Sequence, residues 1–122
     1  MIGLSEEKNL YSLFLGTKED ESLAFAFSII GFESKIVDKD EDLPVLLGEI
    51  LEKDKEKYAL IVMPEKYVKL TQHIREKLRE QGDILPAFLF IPELKNPVFY
   101  QLSEIKELVR RALGMSLKVL EE

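Results

Sequence analysis

Three groups of side chains in this 122-residue chain have the types and spacing from which chemistry is usually built. The first is the acidic run Thr17-Lys-Glu-Asp-Glu-Ser22 behind Gly16, placed where a phosphate loop would sit. A phosphate-cradling loop needs clustered glycines, so that the backbone can approach the ligand. Here Gly16 stands alone, and three carboxylates come after it that repel an anion. The second is Asp38-Lys-Asp-Glu-Asp42, a candidate for a hard cation that reads more simply as a solvated loop. The third is His73, the single histidine, with Lys69 and Arg75 nearby. A transition-metal site needs more imidazole or thiolate ligands than a chain with one histidine and no cysteine possesses. No nucleophile and base can be paired. The expectation is a chain that is not an enzyme and uses neither a cofactor nor a metal.

Charge and composition narrow the partners. The net charge is −6, and the lysines and arginines between Lys66 and Arg79 are interleaved with Glu76 and Glu80. A nucleic-acid footprint needs an excess of one sign, so no nucleic-acid partner is expected. No apolar run approaches the roughly 20 residues that span a bilayer, and direct membrane insertion is not expected. The first eight residues, Met1 to Lys8, lack the basic-then-apolar pattern of a secretory signal. With 46% apolar and 33% charged residues, the chain is of the folded kind and long enough for one modest core.

The elements that would position these groups alternate. Asn9 to Leu15 is a β-type run ended by Gly16, with Thr17 and Asp20 spaced as a cap for the next segment. Leu23 to Ile30 is apolar on nearly every side, which predicts a heavily buried helix, stopped by Gly31. Glu33 to Asp38 is a short polar strand of sheet-edge character. Leu43, Leu46, Leu47 and Ile50 form one helical stripe. Tyr58 to Met63 is a continuous apolar run, as a central parallel strand covered on both faces requires. Pro64 opens a third helix to about Gln81, with Tyr67, Leu70, Ile74 and Leu78 on one side and Gly82 as its stop. Ala87 to Ile91 is a fourth strand, and Gln101 to Leu113 a final helix. This βαβαβαβα order demands right-handed crossovers and a parallel sheet. The predicted fold is an α/β, flavodoxin-like, four-stranded parallel sheet of order 2-1-3-4 flanked by helices. The α/β body spans residues 1–96, and the C-terminal helix and tail span 97–122, in a single domain overall.

A phosphoacceptor reading of this fold fails. It needs an Asp at the end of the third strand, acidic metal ligands after the first and a Lys after the fourth. Those positions hold Val62-Met63-Pro64, Leu15-Gly16-Thr17 and Ile91-Pro92.

The last helix remains. Leu102, Ile105, Leu108, Val109, Ala112 and Leu113 recur at helical spacing, and this stripe suits either packing on the sheet or a helix-in-groove contact. Together with Tyr58 to Met63, Pro86, Ile91-Pro92, Ala26 to Gly31 and the closing Val109-Arg-Arg-Ala-Leu-Gly114, it resembles the F subunit of the V-type and A-type rotary ATPases. The likeness runs from about Leu10 to Lys118. It departs from the family at Gly16-Thr17, at Pro64-Glu65 and in about nine extra residues at the start.

The resemblance implies a non-catalytic central-stalk (rotor) component, cytoplasmic and peripheral to the membrane. Its partners would be the coiled-coil stalk component, known as the D subunit, and other subunits of the V-type/A-type ATP synthase, coupling ATP turnover to ion, for instance proton, translocation. The implied partner-binding residues are Ile105, Leu108, Val109, Arg110, Arg111 and Leu113. The alternative is a small-molecule-binding or regulatory domain with its site at the carboxyl ends of strands one and three. A self-associating domain using the final helix is a third reading.

Overall fold

The computed structural model describes residues 11–92, together with Glu107 and Arg110. Within them the strands are β1 (Tyr11–Thr17), β2 (Glu33–Val37), β3 (Tyr58–Pro64) and β4 (Ala87–Ile91). The helices are α1 (Glu21–Ile29), α2 (Asp42–Lys53) and α3 (Val68–Glu80). One-turn 3-10 segments, Lys18–Asp20, Lys55–Lys57 and Glu65–Tyr67, join several of them. All four strands are parallel in the order β2-β1-β3-β4. The predicted sheet is therefore present, and the polar strand Glu33–Val37 lies at its edge.

The central strands look the way their sequences require. Leu13, Phe14 and Leu15 of β1, and Ile61, Val62 and Met63 of β3, are fully buried, because helices cover both faces of the sheet. Each such side chain withdrawn from water contributes about 1.5–3 kcal/mol. One core layer joins Leu13, Leu15, Ile61 and Met63 to Leu43, Leu47 and Ile50 of α2. The other joins Phe14, Leu60 and Val62 to Leu23, Ala24 and Phe27 of α1.

Two glycines end helices by the same device. Gly31 has φ 101° and Gly82 φ 85°, values open to glycine at little cost. After α1 the Phe32 amide donates to the Phe27 carbonyl at 3.1 Å and the Gly31 amide to Ser28 at 3.1 Å, the two bonds of a Schellman turn. The Phe27 and Phe32 rings then meet at 5.0 Å, closing the apolar contact that accompanies this motif. After α3 the amides of Asp83 and Gly82 reach Leu78 and Arg79 in the same way.

Three expectations need correction. Pro64 ends β3 instead of starting a helix, and a 3-10 turn intervenes before α3. The inner side of α3 is Tyr67, Thr71 and Leu78, with Ile74 partly covered, while Leu70 is exposed. That 3-10 turn sets the helix phase, so Thr71 replaces Leu70 and satisfies its hydroxyl on the Tyr67 carbonyl at 2.8 Å. Finally, α1 is buried on one side only, with Phe25 and Ile29 facing solvent.

Candidate functional site

In a sheet of order 2-1-3-4 the order in which strands are added reverses between β1 and β3, and ligands of such folds bind beyond the carboxyl ends of those two strands. In this chain that crevice is filled by the protein's own side chains. Thr17 ends β1, and the turn after it brings Asp20 back over the strand. Asp20 Oδ2 accepts the Thr17 amide at 2.9 Å and the Tyr67 hydroxyl at 2.7 Å. The Thr17 and Tyr67 hydroxyls lie 2.9 Å apart. Asp20 Oδ1 pairs with Lys66 Nζ at 3.0 Å, and the same ammonium reaches Glu19 at 3.1 Å.

The burial of this network sets its electrostatics. Asp20 is only 8% exposed, and Thr17 and Tyr67 are buried completely or nearly so. A buried carboxylate is tolerated when paired and hydrogen-bonded, and both oxygens of Asp20 are. Burial alone would lower the Lys66 pKa, but its bonds to Asp20 and Glu19 outweigh that and hold it above the ordinary lysine range. Burial, opposed by the Thr17 bond and helped by the one to Asp20, pushes the Tyr67 phenol up to about 12. Gly16 is part of the construction, since a Cβ there would lie 2.9 Å from both Cβ and Oδ2 of Asp20.

Chemically, this is a poor anion site. A phosphate entering the crevice meets the Asp20 carboxylate, and the nearby ammonium of Lys66 already holds two carboxylates. It is equally poor for acid–base work, because a tyrosine at about 12 and a lysine raised further keep their protons at neutral pH. The network ties the turn after β1 to the turn after β3.

A second concave feature lies between α3 and β4, an open cleft of about 540 Å³ lined by Arg75, Glu76, Arg79, Glu80, Phe88 and Phe90. The Arg75 guanidinium stacks on Phe90 at 4.8 Å and that of Arg79 on Phe88 at 5.6 Å. Arg75 also donates to the Val68 carbonyl at 2.6 Å, and Arg79 to the carbonyls of Asp83 and Ile84 at 2.9 and 3.0 Å. Burial lowers the Arg75 pKa from its ordinary value. These arginines cover the aromatic outer strand and tie down the loop that enters it, so their donors are spent on the fold.

Of the residues singled out from sequence, His73 is exposed on α3. Asp38 meets Lys18 at 3.2 Å on the surface, and Lys39 to Asp42 are exposed. Arg110 is exposed, has helical backbone and pairs with Glu107. Ile105, Leu108, Val109, Arg111 and Leu113 lie outside the described residues, as do Leu102, Ala112 and the loop at Asn96-Pro97. Sequence reading found the Thr17 and Asp20 pair but missed Lys66 and Tyr67. The pairing spans 47 residues, and only the strand order brings the two turns together.

With the geometry in place, comparison with known proteins gives one finding. The family described as ATP synthase (F/14-kDa) subunit matches residues 19–109. No curated protein and no solved structure gives a significant match.

Proposed function

The chain belongs to the family of the ATP synthase (F/14-kDa) subunit, and from that premise we propose that it is a non-catalytic component of the central rotor stalk. In this reading it binds the long coiled-coil stalk partner, the D subunit, and helps couple ATP turnover in the catalytic head to ion translocation. The working protein is cytoplasmic and held at the membrane by its neighbours; among the described residues no helix is long and apolar enough to cross a membrane. The α/β body, residues 1–96, positions the contact, and the segment 97–122 makes it through Ile105, Leu108, Val109, Arg110, Arg111 and Leu113. The apolar members seal the partner surface, and the arginines pair with carboxylates on it.

The family match carries this proposal. The crevice beyond β1 and β3 supports it, because the place where a related fold would hold a ligand is taken by Asp20, Tyr67 and Lys66. The test is co-purification of the full chain with the coiled-coil stalk subunit of the same organism, against a Leu108→Asp/Val109→Asp variant that keeps the wild-type circular dichroism. Loss of binding in the variant supports the contact on the final helix. Retained binding moves the contact onto the α/β body, and no binding by the wild type overturns the stalk assignment.

A further inference from the structure

The two edges of the sheet are built differently. β2, at one edge, has the sequence Glu33-Ser-Lys-Ile-Val37 and carries a charge of each sign. β4, at the other, is Ala87-Phe-Leu-Phe-Ile91, with no charge and no proline inside it. Among the described residues β4 pairs with β3 alone, so one row of its backbone amides and carbonyls faces away from the sheet. An uncharged, apolar edge of this kind is a template for one more strand unless something covers it. Its side chains divide between the faces. Ala87, Leu89 and Ile91 belong to the core layer shared with α1, and Phe88 and Phe90 to the layer shared with α2.

We propose that residues 115–119 of this chain form a fifth, parallel strand on the outer edge of β4, extending the sheet order to 2-1-3-4-5. That segment lies outside the described residues, and three features of the chain select it. The first is pattern: Met115-Ser-Leu-Lys-Val119 alternates apolar and polar with the period of a strand and matches the five residues of β4. The second is connection: a parallel neighbour needs a crossover of about a dozen or more residues, usually helical, and residues 92–114 supply one. The helix expected over 101–113 rises about 1.5 Å per residue, roughly 20 Å in all. That length returns the chain past a five-residue strand of about 17 Å to the amino end of β4. The third is charge. With Met115, Leu117 and Val119 beside Ala87, Leu89 and Ile91, Lys118 falls beside Phe90, on the side of the sheet where Glu76 and Glu80 line the open cleft. Opposite charges so placed favour the pairing.

A second copy suits this edge less well. Two β4 strands paired antiparallel about Leu89 would set Phe88 of one opposite Phe90 of the other, bringing Arg79 towards the other copy's Arg75. Like charges so placed oppose the pairing. The proposal does not rest on the stalk assignment; it ties both ends of the expected final helix to the body.

The test is hydrogen exchange of the full chain, followed amide by amide by nuclear magnetic resonance. In the wild type the amides of 115–119 facing β4, and those on the outer edge of β4, should exchange about tenfold or more slower than in an unstructured chain. Successive amides point to opposite sides of a strand, so Leu117→Pro/Lys118→Pro removes a ladder donor in either register. In that variant the outer β4 amides should lose about tenfold or more of their protection while β1 keeps its own. Unprotected amides throughout 115–119 in the wild type would overturn the proposal. So would β4 protection that survives the proline pair, or protection that rises with protein concentration and so marks a second copy. Should the proline pair unfold the domain, Lys118→Glu takes its place: it keeps every backbone donor and should lower the same protection about threefold, and no change refutes the strand.

Discussion

Replacing Tyr67 by Phe removes one oxygen atom from the centre of the β1–β3 crevice and leaves the packed ring in place. The lost hydroxyl donates to Asp20 Oδ2 at 2.7 Å and sits 2.9 Å from the Thr17 hydroxyl. A hydrogen bond to a charged acceptor contributes about 1.5–3 kcal/mol. Asp20 keeps the Thr17 amide and Lys66, so the expected cost is about 2 kcal/mol at pH 7. For a chain of this size that corresponds to a melting temperature lower by about 8 °C. The phenol supplies a second, pH-dependent test, in which burial of the ring is the main cause. Its pKa is pushed from 10.0 to about 12, so the unfolded chain loses this proton first as pH rises. The native state then binds more protons than the unfolded one, and stability falls with pH. Tyr67's contribution is therefore complete below pH 10 and gone above about 12, and the phenylalanine variant lacks it throughout. Urea denaturation at pH 7 and at pH 11 should show the gap between wild type and variant narrowing. A variant as stable as wild type at pH 7, or a gap unchanged at pH 11, would refute this account of the crevice.

Two further substitutions probe the same construction and its neighbour. Gly16→Ala should destabilise by about 1–3 kcal/mol in urea titrations, because the new Cβ would lie 2.9 Å from Asp20 and force the turn outward. Arg79→Ala should cost up to about 1 kcal/mol by thermal melting, since it removes the exposed hydrogen bonds to the carbonyls of Asp83 and Ile84 and uncovers Phe88.

Much of the fold is legible because it depends on local pattern. Ala87–Ile91 and Tyr58–Pro64 are apolar runs bounded by breakers, and Gly31 and Gly82 stop helices with the two bonds their positive φ allows. The alternation of elements then leaves few topologies open. The features that escaped notice depend on phase or on distance. The side of α3 that packs inward is fixed by a one-turn 3-10 segment, a shift too small for periodicity to register, so Thr71 takes the place expected for Leu70. The apolar character of α1 implied burial all round, yet a helix flanking a four-stranded sheet covers β1 and β2 with one side only. Lys66 and Tyr67 come after a strand end and look like the ordinary start of a helix. Their role appears only when β3 is placed beside β1.

That placement also bears on why a ligand-type fold can serve an assembly. The carboxyl ends of β1 and β3 are where loops in this topology are free to diverge, because the crevice between them is not needed to hold the sheet together. A chain that binds a nucleotide there needs glycines, exposed amide donors and uncompensated positive charge. This chain supplies the opposite set: one glycine packed against Asp20, an amide donated to that carboxylate, and a lysine shared between two acids. Each of these donors, which could otherwise greet an anion, is turned inward to fasten one loop to the next. These bonds lie at the end of the sheet from which both α1 and α3 depart. The closed crevice is then the product of one arrangement: the ligand site is given up, and its side chains join the turn after β1 to the turn after β3.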